Sequence, residues 1–220
     1  KMAQRYQDKD VDTFHGKARF LSEKTLQVAE ASVLEGKHFL IASGAEPVRL
    51  NIPGEEHLID SEGFLTLNTL PKRIALVGGG FIAAEFSHVA ARAGAQVTVL
   101  QHGQHMLTAF DPDLVGWLMG SFEALGIDVQ TGASVVRIDK TTTGYQVHST
   151  LEGTESMVEL DAVVHAAGRA PDFDALDLPA AGVATDQGRL RLNEFLQSAT
   201  NPRVYAAGDA AQKGPRSRPS

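Results

Sequence analysis

The strand-like run Arg73-Ile74-Ala75-Leu76-Val77 ends in three consecutive glycines, Gly78-Gly79-Gly80. A continuous apolar run of this length is what a strand covered on both faces of a parallel sheet requires. Beyond the glycines, Ile82, Phe86, Val89, Ala90 and Ala93 fall on one face of a helix. Gly94 stands where a helix C-terminus favours glycine, and Gln96 to Leu100 reads as a second strand. Residues 73 to 101 thus form a strand–helix–strand unit of the roughly 30 residues such units take.

Within that unit, Gly78-x-Gly80-x-x-Ala83 is a dinucleotide fingerprint with alanine at its third position. The first glycine permits the tight turn out of the strand. The second removes a Cβ where a pyrophosphate approaches the backbone, and the small third residue lets the helix pack closely. Free N–H groups and the helix dipole at the start of the helix favour negative charge. Gly78, Gly79, Gly80, Phe81, Ile82 and Ala83 are therefore expected to line a pyridine dinucleotide. NAD binders usually place an acid at the end of the second strand for the ribose hydroxyls. Here that position is Gln101, followed by His102, and residues 95 to 110 contain neither acid nor arginine. Gln101 is able to hydrogen-bond a ribose, and a protonated His102 or His105 would attract a 2′-phosphate. NAD and NADP both stay open, the missing acid leaning toward NADP.

The rest of the chain divides around this unit. Short strands are expected at Phe14 to Phe20, Thr25 to Val28 and His38 to Ala42, in the manner of a β-meander. Residues 47 to 72, with three prolines and little periodicity, read as a connection. A second helix is expected from Asp111-Pro112, an N-cap followed by proline at the first helical position. Its apolar face would be Leu114, Leu118, Met119, Phe122 and Leu125, and Gly126 would end it. Strands follow at Ile127 to Gln130, two antiparallel ones over 134 to 150 around Thr141-Thr142-Thr143-Gly144, then Leu160 to Ala166, Leu190 to Leu192 and Arg203 to Ala207. The reading is α/β: a Rossmann-like domain with a parallel sheet and β-meander over 71–170, flanked by mainly β segments at 1–70 and 171–220.

Composition narrows the function classes. A formal net charge of −7 without a basic stripe argues against nucleic acid and anionic membrane surfaces as partners. The densest basic cluster, Lys213, Arg216 and Arg218, lies near the end. With no cysteine, the chain has no thiolate metal site and no dithiol. No apolar run reaches the roughly 20 residues of a membrane span, so the cytoplasm is the expected compartment.

Several ordered motifs resemble the flavin-dependent pyridine nucleotide-disulfide oxidoreductases, the group of glutathione, mycothione and mercuric reductases and lipoamide dehydrogenase. They are Ile41-Ala42-Ser43-Gly44-Ala45-Glu46-Pro47, Leu70-Pro71-Lys72-Arg73, the turn from Gly78 to Glu85, Gly168-Arg169-Ala170-Pro171, and Tyr205-Ala206-Ala207-Gly208-Asp209-Ala210. The resemblance covers roughly residues 11 to 212. It implies a Glu85 near the nicotinamide, a Gly168 lining the cofactor cleft, and a Gly44 segment beside the flavin. It also implies a Gly208-Asp209 motif in which Asp209 bonds the ribityl-phosphate portion of FAD.

Three departures qualify what is expected. No glycine-rich flavin-binding unit precedes residue 70, there is no redox-active cysteine pair, and Gly214-Pro215 is not followed by the family's Leu-Thr-Pro stretch. The expectation is a shortened member. It would bind NAD(P)H as the nucleotide portion of a hydride-transferring oxidoreductase, retention of FAD being open. The alternatives are a non-catalytic dinucleotide-binding module, with Met2 as a true start, and an inert fragment. Apolar edges around 14 to 42 and 190 to 207 are expected to be exposed and to promote self-association.

Overall fold

The computed structural model of the chain describes residues 6, 8–30, 32–151 and 153–211. Met2, Lys213, Gly214-Pro215, Arg216 and Arg218 lie outside them. Two compact units are present: Pro47–Arg169, and Lys1–Glu46 together with Ala170–Ser220.

The central unit, Pro47–Arg169, has three layers. Its middle layer is a four-stranded parallel sheet in the order Ala162–His165, Arg73–Val77, Gln96–Gln101, Asp128–Thr131. Side chains alternate across it with the period of a strand. Ile74, Leu76, Val97, Val99 and Val164 face a core shared with Ile82, Ala83, Ala90 and Phe122 of the helices Phe81–Arg92 and Pro112–Ala124. Ala75, Val77, Leu100 and Val163 face the opposite way, against Ala133, Ile138, Val147 and Leu160. Those last residues belong to, or border, an antiparallel meander of Ala133–Lys140, Tyr145–Leu151 and Thr154–Leu160. Both faces of the sheet are thus covered, which is why its strands read as continuous apolar runs.

The meander has three strands where two were expected. Its third, Thr154–Leu160, is mostly exposed and carries little apolar signal before Leu160. Residues 47 to 72 are not a bare connection: they contain a 3-10 turn at Glu55–His57 and a helix at Ser61–Leu65. Asp60 caps that helix by accepting from Gly63 N–H at 2.8 Å, and its Phe64 stacks on Phe86 with ring centroids 4.5 Å apart. Helix and turn are too short to show periodicity. On the two long helices the apolar stripes are narrower than expected, because Val89 and Leu114 face solvent. The buried positions Ala83, Ala84 and Ser87 are small residues, which let the helix approach the sheet closely.

The second unit comprises short elements. An antiparallel meander joins Ala18–Ser22, Thr25–Val28 and Ser32–Glu35. The first strand starts at Ala18, not Phe14, whose ring is exposed. Ser32–Glu35 was not anticipated. Phe39–Ile41 runs parallel to Val204–Ala206, from the far end of the chain. Phe20, Ile41, Leu178, Ala181, Val183, Leu190, Val204 and Ala206 form the core. Only one face of the parallel pair is buried: Phe39 and Ile41 turn toward the core, whereas Leu40 between them is 65% exposed. Phe195 is also exposed, and with Leu40, His38 and Tyr205 it lines a groove of about 330 Å³.

Candidate functional site

In the central unit, strand Arg73–Val77 connects to Gln96–Gln101 on one side, while Ala162–His165 lies on its other side. The order reverses between them. In open α/β sheets, ligand crevices form outside the carboxyl ends of strands at such a reversal. The glycine turn leaves Val77 at this point, and Ala166-Ala167-Gly168 leaves His165 beside it.

The three glycines occupy different environments. Gly78 has φ +120°, and a Cβ there would lie 2.3 Å from the Ala166 carbonyl oxygen and 2.5 Å from Ala167 Cα. Its N–H donates to the Leu100 carbonyl at 2.8 Å. Gly78 is therefore required by the fold itself. Gly80 has φ −86° and ψ −170°, which any residue adopts, and the nearest atom to a Cβ would be the Ala166 oxygen at 3.8 Å. Its lack of a side chain leaves open space in front of the helix. Gly80 is the helix N-cap and provides no side-chain hydrogen bond, and the first turn holds no acid. The first helical N–H groups, of Phe81, Ile82 and Ala83, have no intrahelical acceptor by the geometry of a helix start. Ala83 and Ile82 are buried, whereas the Phe81 side chain is exposed.

Gly79 faces a side chain. A Cβ on it would meet Gln101 Cδ at 2.6 Å and Cγ at 2.8 Å. Gln101, at the end of the second strand, is 8% exposed, and its Nε2 donates to the His105 carbonyl at 3.1 Å. The following loop is tied back to the turn by Leu107 N–H, which donates to the Gly79 carbonyl at 2.7 Å. Met106 is buried in the helix-side core. His102 and His105 are exposed. Leu107 and Met106 were missed from the sequence because the segment has no regular periodicity.

Glu85 is exposed, one turn into the helix. Gly168 has φ +112° and open space around its missing Cβ, and its carbonyl accepts from Val48 N–H at 3.1 Å. His165, two residues before Ala167, is buried. Its Nε2 lies 2.8 Å from the Val48 carbonyl, which accepts a hydrogen bond from it. The sequence marked this strand as buried but gave no sign of the histidine's anchoring role.

In the other unit, the two remaining motifs leave adjacent parallel strands at their carboxyl ends. Gly44, with φ +75°, follows Phe39–Ile41, and Gly208, with φ +63°, follows Val204–Ala206. Ala207 N–H donates to the Ile41 carbonyl at 2.9 Å, which brings the two exits side by side. Ser43 Oγ donates to the Asp172 carbonyl at 2.8 Å. Asp209 sits exposed in the 3-10 turn Gly208–Ala210.

The sequence profile of the pyridine nucleotide-disulphide oxidoreductase family matches residues 1–220. The chain belongs to that family. Mercuric reductase of Staphylococcus aureus is 34% identical over 201 residues, which are 90% of this chain and 36% of the relative. Glutathione reductase of Burkholderia cepacia is 33% identical over 205 residues, 93% of this chain and 44% of the relative. Among solved structures, the HOCl-induced flavoprotein disulfide reductase RclA from Escherichia coli superposes with a TM-score of 0.84 at 29% identity, covering 93% of this chain and 47% of that one. The chain thus spans between about a third and a half of the length of these relatives.

Members of the pyridine nucleotide-disulphide oxidoreductase family use FAD and NAD(P)H. The residues present fit the second of these: Gly80 leaves an open approach to an uncapped helix start at the reversal of strand order. They fit the first only in part. Ser43-Gly44 and Gly208-Asp209 offer one loop edge, and among the described residues the only glycine-rich strand–turn–helix is that of residues 73–92. No helix among the described residues is long and apolar enough to cross a membrane.

Proposed function

We propose that this chain is the pyridine-nucleotide-binding portion of a flavin-dependent oxidoreductase, with NAD(P)H held by the glycine turn. The reading rests on Gly80, where a side chain is sterically allowed, yet its absence keeps the helix start open. Phe81, Ile82 and Ala83 present their N–H groups to the pyrophosphate, and the helix dipole adds to the attraction. Gly78 and the Ala166-Ala167-Gly168 exit form the two walls of the crevice, and the open backbone at Gly168 admits the extended dinucleotide. Glu85 lies toward the nicotinamide end, and His102 is exposed at the adenosine end, where a 2′-phosphate would sit. Bound NAD(P)H supplies the hydride; Gly44, Gly208 and Asp209 are the residues of this chain that would face a flavin. With no cysteine, the chain supplies no dithiol to a disulfide substrate.

Calorimetric titration with NADH, NADPH and FAD tests the reading. Binding of a pyridine nucleotide that is lost in Gly80→Val, at unchanged melting temperature, is expected. Equal affinity in the variant would place the pyrophosphate elsewhere.

The reading extends to self-association. Leu40 and Phe195 are 65% and 73% exposed beside the uncovered face of the parallel pair, and apolar patches of this kind favour contact between copies. Sedimentation should show the average mass rising with concentration, and Leu40→Asp should reduce the rise. A monomer at all concentrations would contradict it.

A further inference from the structure

The end of the second strand is where dinucleotide folds usually read the ribose; here Gln101 is buried and hydrogen-bonded within the protein. The residue is 8% exposed. It packs under Gly79, where a Cβ would come within 2.6 Å of Cδ, and its Nε2 would lie 2.8 Å from a Cβ at Gly103. The same Nε2 donates to the His105 carbonyl at 3.1 Å. Position 79 is conformationally undemanding: Gly79 is not among the glycines with positive φ. A Cβ at position 79 would meet the Gln101 side chain, whereas one at position 78 would meet the Ala166 and Ala167 backbone.

We infer that Gln101 is a positioning residue and not a ribose ligand: it braces the 102–107 loop against the glycine turn, and its side chain occupies the space into which a Cβ at position 79 would project. The brace has two strands of evidence, the carboxamide bond to His105 and the adjoining bond from Leu107 N–H to the Gly79 carbonyl at 2.7 Å. Because the carboxamide is directed inward, choice between NADH and NADPH falls to the exposed loop, where His102 and His105 stand. The ligand half of this inference rests on the dinucleotide reading above; the packing half does not.

The test is a double-substitution cycle on the full chain: Gly79→Ala, Gln101→Ala and both together. Melting temperatures are read first. Overpacking by one methyl should lower the melting temperature of Gly79→Ala by roughly 4–8 °C, and the same substitution should have little effect in the Gln101→Ala background. Equal shifts in both backgrounds would overturn the packing claim. Titration with NADH and NADPH is read second. Gln101→Ala should weaken both by a common factor. A loss confined to NADH would make Gln101 a ligand of the 2′-hydroxyl, and unchanged affinity for both would make it merely structural; either overturns the positioning role. If the unsubstituted chain binds neither nucleotide, the dinucleotide reading fails, while the melting-temperature cycle still decides whether Gln101 dictates glycine at position 79.

Discussion

The two units of this chain handle a parallel sheet in opposite ways. In Pro47–Arg169, four parallel strands lie between helices and a meander, and Ile74, Ala75, Leu76 and Val164 are fully buried. In the other unit, two parallel strands are covered on one face, and Leu40 is left in solvent. Parallel sheets are rarely stable with a bare face. The contrast is between a parallel sheet covered on both faces and a parallel pair with one face bare.

The strongest way to break this comparison is at Gly78. Gly78→Val would drive a side chain into Ala166 and Ala167 and strain the backbone at φ +120°, so loss of cooperative unfolding of the central unit is expected by circular dichroism and calorimetry. A folded, wild-type-like variant would show that the strand exits are loosely packed. Next in size is a pair of core truncations. Leu76→Ala should cost about 2–5 kcal/mol in denaturant unfolding, as buried leucine truncations do. Leu40→Ala should stay within about 0.5 kcal/mol for a monomer, as exposed substitutions do. Similar costs for both would remove the distinction between the units.

A smaller effect is expected at Asp111, whose carboxylate accepts from Asp113 N–H at 2.9 Å and caps the helix Pro112–Ala124. Asp111→Ala should cost about 1 kcal/mol. The smallest lies at the base of the sheet. There Asp161 accepts from the Arg73 guanidinium at 2.6 Å and from Arg73 N–H at 2.9 Å. The hydrogen bond from the Arg73 guanidinium, with a lesser share from the backbone bond, holds the Asp161 carboxyl below its ordinary range against the opposing effect of burial. A depressed carboxylate contributes stability that is full above its unfolded pKa of about 3.9 and is lost as pH falls through the folded value. Asp161→Asn should therefore lower stability at neutral pH and flatten the decline below about pH 4. An unchanged acid limb would mean the pair contributes nothing.

The central unit was legible in the sequence because its elements are contiguous and its strands buried on both faces. Arg73 to Val77, the glycine turn and the capped helix at Asp111-Pro112 each carried a local signal. The parallel arrangement of Phe39–Ile41 with Val204–Ala206 was not legible from periodicity, since three-residue strands far apart in the chain have none; only the resemblance of the flanking motifs connected them. The tight turn at Gly78 and the side-chain-free helix start at Gly80 were legible through their spacing. The inward turn of Gln101 was not, because a strand-end glutamine looks alike whether it faces a ribose or the core. His165 was hidden similarly, as its anchor is the Val48 carbonyl far back in the chain.

The most direct test of the central claim is titration of the purified chain, and of its Gly80→Val variant, with NADH and NADPH. The glycine turn as dinucleotide cradle predicts saturable binding of at least one nucleotide by the unsubstituted chain and none by the equally stable variant. Binding of equal strength by both, or by neither, would contradict it.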